Sequence, residues 1–168
     1  MPGYVVHIAI AQEYLKKHKK VFSQDFILGC IQPDFTEDKS KSHYGKSPAY
    51  TNLGNFLKEN NIDSDFKQGY FLHLVTDYLF YNYYVEGFKK PQIYDDYDFT
   101  NDFLIQKYNV ILPEQVKDKV FFKKGTPQIL PLSLACKFID EISSLTLENI
   151  KKEINDNNSK WIYYKNII

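Results

Sequence analysis

The stretch GYFLHLVTDYLF, residues 69–80, is apolar or aromatic at nearly every position, yet it carries His73 and, four residues on, Asp77. It sits inside a longer helical pattern from about Ser64 to Glu86, with Asp65 near its start and Gly87 as a stop signal. Between Tyr70 and Tyr84 the pattern is apolar on nearly every side, which predicts a buried central helix surrounded by the other elements. At about 3.6 residues per turn, His73 and Asp77 then project from one face, one turn apart.

The flanking sequence supplies the surrounding helices. From Val5 to about Lys19, apolar Ile8, Ala11 and Leu15 precede a polar KKHKK end, the pattern of an amphipathic first helix with His7 near its start. Ser23 reads as the N-cap of a short buried helix through FILGCI. Pro33 disfavours helical geometry at Gln32, which puts Asp34 just past that helix's end. Residues 36–48, TEDKSKSHYGKSP, read as a surface loop carrying His43. A helix is predicted from Ala49 to Glu59. After FKKPQ, read as a hinge, the acidic patch YDDYDFTND (residues 94–102) opens a helix from Phe99 to Tyr108. Further helices open at Pro113 and span about Leu132–Ser143 and Leu147–Asp156, with a GTP turn at 125–127. No period-2 pattern appears, so the expectation is an all-α, single-domain, multi-helix bundle over residues 1–168, without repeats.

Composition narrows the chemistry. All 21 basic residues are Lys, so no guanidinium can clamp a phosphate in bidentate fashion. A net charge of zero argues against broad electrostatic binding of nucleic acid, and no stable nucleic-acid partner is expected. With 14 Tyr and 13 Phe, the core should be built from flat rings whose phenols need hydrogen-bond partners. Cys30 and Cys136 lie in apolar stretches and read as small buried hydrophobes. The N-terminus lacks the pattern of a secretory signal, and no window is apolar enough to span a bilayer. The expected location is therefore cytoplasmic, without a transmembrane segment.

His18, in KKHKK, reads as part of a solvated basic face. His7, Asp34 and His43 come from three different elements that could meet the central helix at His73 and Asp77. Two readings stay open on spacing alone: a structural His–Asp hydrogen bond in the core, or a metal site with nitrogen and oxygen ligands. Tyr44, Tyr78, Tyr81 and Tyr83 are candidates to orient ligands or contact a substrate, or simply core residues.

The order HIAIAQEYL, FILGCIQPDF with its Pro–Asp, a loop histidine, then GYFLHLVTDYLFYNYY resembles the zinc-dependent phospholipase C family, which shares its fold with single-strand-specific nucleases. The resemblance covers roughly residues 3–85. It implies a metal cluster in which His7 binds one ion, Asp34, His43 and His73 bind its neighbour, and Asp77 bridges the two. It also implies that Asp34 is a candidate base for the attacking water. Members of that family hydrolyse phosphoesters. Their third zinc needs a histidine six residues after the bridging carboxylate, where this chain has Tyr83, and no histidine follows His73. Asp95, Asp96, Asp98 and Asp102 could offer oxygen ligands but read more simply as a solvated, helix-opening patch.

The resulting expectation is a two-metal hydrolase acting on a small-molecule or phospholipid phosphoester. Zinc suits the ligand set, with iron, manganese or cobalt allowed. The alternatives are a metal-stabilised binding or scaffold domain without catalysis, and a metal-free helical interaction protein.

Overall fold

The computed structural model describes residues 2–85 and 91–161, and among these there is no β-strand. Eight α-helices are present: α1 (Tyr4–Lys17), α2 (Gln24–Phe35), α3 (Lys39–Ser42), α4 (Leu53–Glu59), α5 (Asp65–Leu79), α6 (Gln92–Tyr108), α7 (Leu132–Ile142) and α8 (Leu147–Asn155). Short 3₁₀ turns lie at Pro48–Tyr50, Glu114–Lys119 and Ser159–Trp161, and a π-helical turn, Phe80–Tyr84, extends α5. The all-α expectation holds. The expected Gly87 stop and most of the FKKPQ hinge fall outside the described residues.

α5 is the central helix, as its unbroken apolar pattern predicts. From Phe71 to Leu79 every side chain is buried, His73 and Asp77 included. Ser64 caps its start by accepting from the Lys67 amide. It packs most extensively on α2, with α1, α4 and α8 also against it. α1 is buried more fully than an amphipathic helix requires, since every residue from Val5 to Gln12 is in the core and only its last turn is exposed.

The α2–α5 contact is a backbone contact. A Cβ on Gly29 would lie 2.0 Å from the Phe66 carbonyl oxygen, and one on Gly69 would lie 2.0 Å from the Phe26 carbonyl oxygen. The two glycines thus let each helix approach the other's main chain. Gly69, His73 and Asp77 follow at intervals of four, so the face that touches α2 is the face that carries the two polar side chains.

Several expected boundaries move. α2 does not stop at Gln32 but runs through Pro33 and Asp34 to Phe35. The proline falls in the last turn, where it removes a single helical donor, and its effect on the preceding residue is a bias that helix packing overrides. The 36–48 segment is not all loop: Asp38 caps the one-turn α3, which ends at His43. The predicted Ala49–Glu59 helix is two pieces, because the Asn52 side chain caps α4 and breaks it from the 3₁₀ turn. Cys136 is only partly buried, unlike Cys30. His18 is half-buried, its ring 4.1 Å from that of Tyr14, so it is less solvated than its lysine neighbours suggest.

The acidic patch departs furthest from expectation. α6 begins at Gln92, so the patch lies within its first turns. Asp96 is buried and accepts backbone hydrogen bonds from Gln128 (2.9 Å), Ile129 (2.6 Å) and Leu130 (2.8 Å), pinning the approach to α7. Asp95 and Asp98 pair with Lys123, and Asp102 accepts from Gln106.

Two consequences can be measured by chemical denaturation. Gly69→Ala must push α2 off α5 and should cost about 2 kcal/mol or more. Gly54→Ala, where a Cβ within α4 would meet nothing nearer than the Asn52 side chain at 3.5 Å, should instead be neutral or stabilise by about 0.5–1 kcal/mol. Asp96→Asn puts an amide donor among three backbone donors and should cost about 2 kcal/mol, whereas Asp102→Asn should change little.

Candidate metal centre

All five residues singled out in the sequence converge on one point in the core. His7 lies in the second turn of α1, Asp34 in the last turn of α2, and His43 caps α3, while His73 and Asp77 share one face of α5. His7, His43, His73 and Asp77 are 0% exposed and Asp34 is 7% exposed.

Asp77 stands at the middle. Its Oδ1 is 3.3 Å from His7 Nε2, and its Oδ2 is 3.1 Å from His43 Nε2 and 3.6 Å from His73 Nε2. Asp34 Oδ1 is 3.7 Å from His73 Nε2 and 3.8 Å from His43 Nε2. Two triads, His7–His73–Asp77 and Asp34–His43–His73, each present ligand atoms within 4.8 Å of one another. Asp34 is on a helix rather than beyond its end, but its carboxylate still reaches the cluster.

The outer nitrogens show how the rings are held. His73 Nδ1 donates to the Cys30 carbonyl at 2.7 Å. His43 Nδ1 lies 3.2 Å from the Lys39 carbonyl and 2.9 Å from the Ser42 hydroxyl. A carbonyl can only accept, so both rings carry their proton on Nδ1 and turn a bare Nε2 inward, the usual arrangement of a metal-binding imidazole. Those two Nε2 atoms are 3.3 Å apart. The His7 ring stacks on His73 with centroids 3.9 Å apart, and neither of its nitrogens has a hydrogen-bond partner.

The carboxylate oxygens of Asp34 and Asp77 also lack hydrogen-bond donors. Among the described residues, only the three imidazoles come within ion-pair distance of the two carboxylates. Acceptors therefore face acceptors in the core, an arrangement that costs several kcal/mol per uncompensated charge. Protons or a cation must fill the gap. Burial pushes His7 and His73 below their ordinary value of 6.5, so they remain neutral near pH 7 and leave their lone pairs available. Burial raises Asp34 above the usual carboxylate range, with His73 opposing and Asp77 adding to the rise. Burial works against ionised Asp77 too; an imidazole that turns a proton toward it holds the carboxyl down, and a bare nitrogen does not. The donor set of imidazole nitrogens and carboxylate oxygens fits a divalent metal ion, and the buried groups are positioned to hold one.

The other candidates lie elsewhere. Tyr83 is half-exposed and donates to the Lys160 carbonyl, as does Tyr78, and Tyr44 accepts from Asn60. Tyr81 is buried in the core. None of Asp95, Asp96, Asp98 and Asp102 joins a ligand group among the described residues. Two supports were not legible beforehand: the Cys30 carbonyl that orients His73, and Tyr70, whose hydroxyl donates to the Ser42 carbonyl beside His43 at 2.7 Å. Backbone carbonyls leave no trace in residue type, and Tyr70 falls within an apolar run.

No protein-family model, curated protein or solved structure matches the chain.

The burial of the two histidines sets a pH dependence. A histidine whose folded pKa is below its unfolded value of 6.5 binds fewer protons folded than unfolded, so its contribution to stability is complete above 6.5 and is lost as pH falls. Asp34, raised in the fold, works in the opposite sense above its unfolded 3.8. With two histidines against one carboxylate, the melting temperature of the metal-free chain should fall from pH 7 to pH 5. Thermal stabilisation by added zinc should persist at pH 6.5 and decline at lower pH, as protons compete for the same nitrogens.

Proposed function

We propose that the cluster holds two divalent ions, most suitably zinc, bridged by Asp77, and that the protein hydrolyses phosphoesters. The observation that carries this reading is the set of acceptor atoms at Asp34, Asp77 and the three histidines, buried together with no Lys among the described residues to balance them. His7 and Asp77 would hold one ion and Asp34, His43 and His73 the other, with Asp77 within reach of both. The motif order that resembles zinc-dependent phospholipases C supports the same division of ligands.

Ions at this centre would supply Lewis-acid charge to a phosphoryl group and lower the pKa of water toward neutrality. Two doubly charged ions against two carboxylates leave two positive charges, which favours an anionic phosphoester in a chain that has no Arg. Asp34 is the residue assigned to accept the proton of the attacking water. The reaction forms a bond from the water oxygen to phosphorus and breaks the ester P–O bond, and the departing alkoxide takes up the proton that Asp34 received from the water. The Cys30 and Lys39 carbonyls keep the His73 and His43 rings turned inward throughout.

A second reading has its own observation. Four of the five side chains have no solvent exposure, as suits an ion held purely for stability. It predicts bound metal and strong thermal stabilisation without turnover on any phosphoester.

Metal analysis of untagged protein purified without chelator should find about two ions per chain on the first reading. Asp77→Asn should lower metal content and abolish hydrolysis while the helical circular dichroism stays largely intact. Unchanged metal content in that variant would make Asp77 a core hydrogen-bond partner and sink the proposal.

A further inference from the structure

Outside the five-residue cluster, two buried side-chain polar atoms among the described residues lack a hydrogen-bond partner: Nε2 of His18 and the hydroxyl of Tyr97. His18 caps the far end of α1, away from any ligand. Tyr97 is different. It is 6% exposed, it lies in the second turn of α6, and it lines a cleft of about 290 Å³ together with Gly3, Tyr4, Tyr94, Lys119 and Phe121.

That cleft is built from the chain immediately beside the candidate ligands. Gly3 precedes His7 by one turn on the same face of α1, and its carbonyl accepts from the His7 amide at 3.3 Å. The Tyr97 ring lies directly against Gly3, where a Cβ would meet its Cγ, Cβ and Cδ2 at 3.2–3.4 Å. The Tyr4 ring packs on Phe35, the residue after Asp34, with centroids 5.7 Å apart. Burial raises the Tyr97 phenol well above its ordinary value, and the carboxylates of Asp77 and Asp34 raise it further. The hydroxyl therefore keeps its proton and can donate it.

An unpartnered buried hydroxyl is costly, a cost removed when a ligand supplies an acceptor. Resting on the phosphoester reading above, we propose that this cleft admits the substrate and that the Tyr97 hydroxyl donates a hydrogen bond to a non-bridging phosphoryl oxygen at the cluster. The aromatic walls formed by Tyr4, Tyr94 and Phe121 suit an alcohol portion that is itself aromatic or apolar. Asp98 also borders the cleft, but its carboxylate is paired with Lys123 at 3.0 Å, while Lys119 adds a cation near the mouth.

The test compares wild type with Tyr97→Phe, both loaded with zinc and freed of excess metal. Zinc content, the melting temperature of the metal-free chain, the affinity for inorganic phosphate by calorimetry, and hydrolysis of bis(4-nitrophenyl) phosphate are measured on each. The expected result is equal zinc content, a melting temperature equal or higher in the variant because no hydroxyl is stranded, and a phosphate dissociation constant about tenfold larger. Equal phosphate affinity in the two proteins overturns the role of Tyr97. Loss of zinc or of stability in the variant also overturns it, by making the residue structural. Phosphate binding that depends on Tyr97 without hydrolysis keeps the inference and removes the hydrolase reading. Zinc loading without phosphate binding removes the inference and leaves the metal centre, and a wild type that takes up no zinc removes both.

Discussion

The close approach of α2 and α5 governs the rest of the molecule. Gly29 and Gly69 each face a carbonyl of the opposite helix, so the two backbones touch where side chains would ordinarily separate them. Because the contact is backbone to backbone, the Cys30 carbonyl is close enough to receive the His73 Nδ1 proton at 2.7 Å. The same spacing lets Asp34, at the end of α2, reach the side chains of α5. A methyl group at either glycine would widen the gap along the whole line from Gly69 to Asp77.

The cluster built on that contact is a local conflict in an otherwise consistent core. Around it, most phenols and hydroxyls find partners, Tyr97 excepted: Tyr70 donates to Ser42, Thr76 to Leu72, and Tyr78 to Lys160. Within it, carboxylate oxygens and the inward nitrogens of His43 and His73 oppose each other. A sequence selected only for a stable helical core would replace these groups with apolar side chains, which commonly stabilises a fold. Their presence is a local violation of packing rules, the kind that marks a functional site.

Much of this was readable in the residues. The apolar run of α5 identified the central helix, and the four-residue interval placed His73 and Asp77 on one face. His7, Asp34 and His43 could be nominated by type and order, but their meeting depends on tertiary packing that no local pattern encodes. Pro33 misled because a local bias against helix yielded to the α2–α5 contact. The acidic patch misled for a different reason. Four aspartates in eight residues suggest solvent, yet the buried positions Ile93, Asp96, Tyr97, Thr100, Asn101, Leu104 and Tyr108 form a helical stripe. Starting the helix at Phe99 cut that stripe in two, and so hid both the Asp96 clamp and Tyr97.

His43 differs from its partners in how it is carried. The other four residues ride on helices of at least 12 residues, whereas His43 caps a single turn. Its segment is held by the Tyr70 hydroxyl on the Ser42 carbonyl and by the Asn52 amide on the His43 carbonyl at 3.0 Å, with Tyr44 in the left-handed region at φ 56°. Opening it requires breaking a handful of contacts while α1, α2 and α5 stay packed, so its local free energy of opening lies below that of global unfolding. Exchange of an ion with the surroundings would then follow this latch rather than the stability of the whole fold, and a very stable protein could still release its metal on a short timescale.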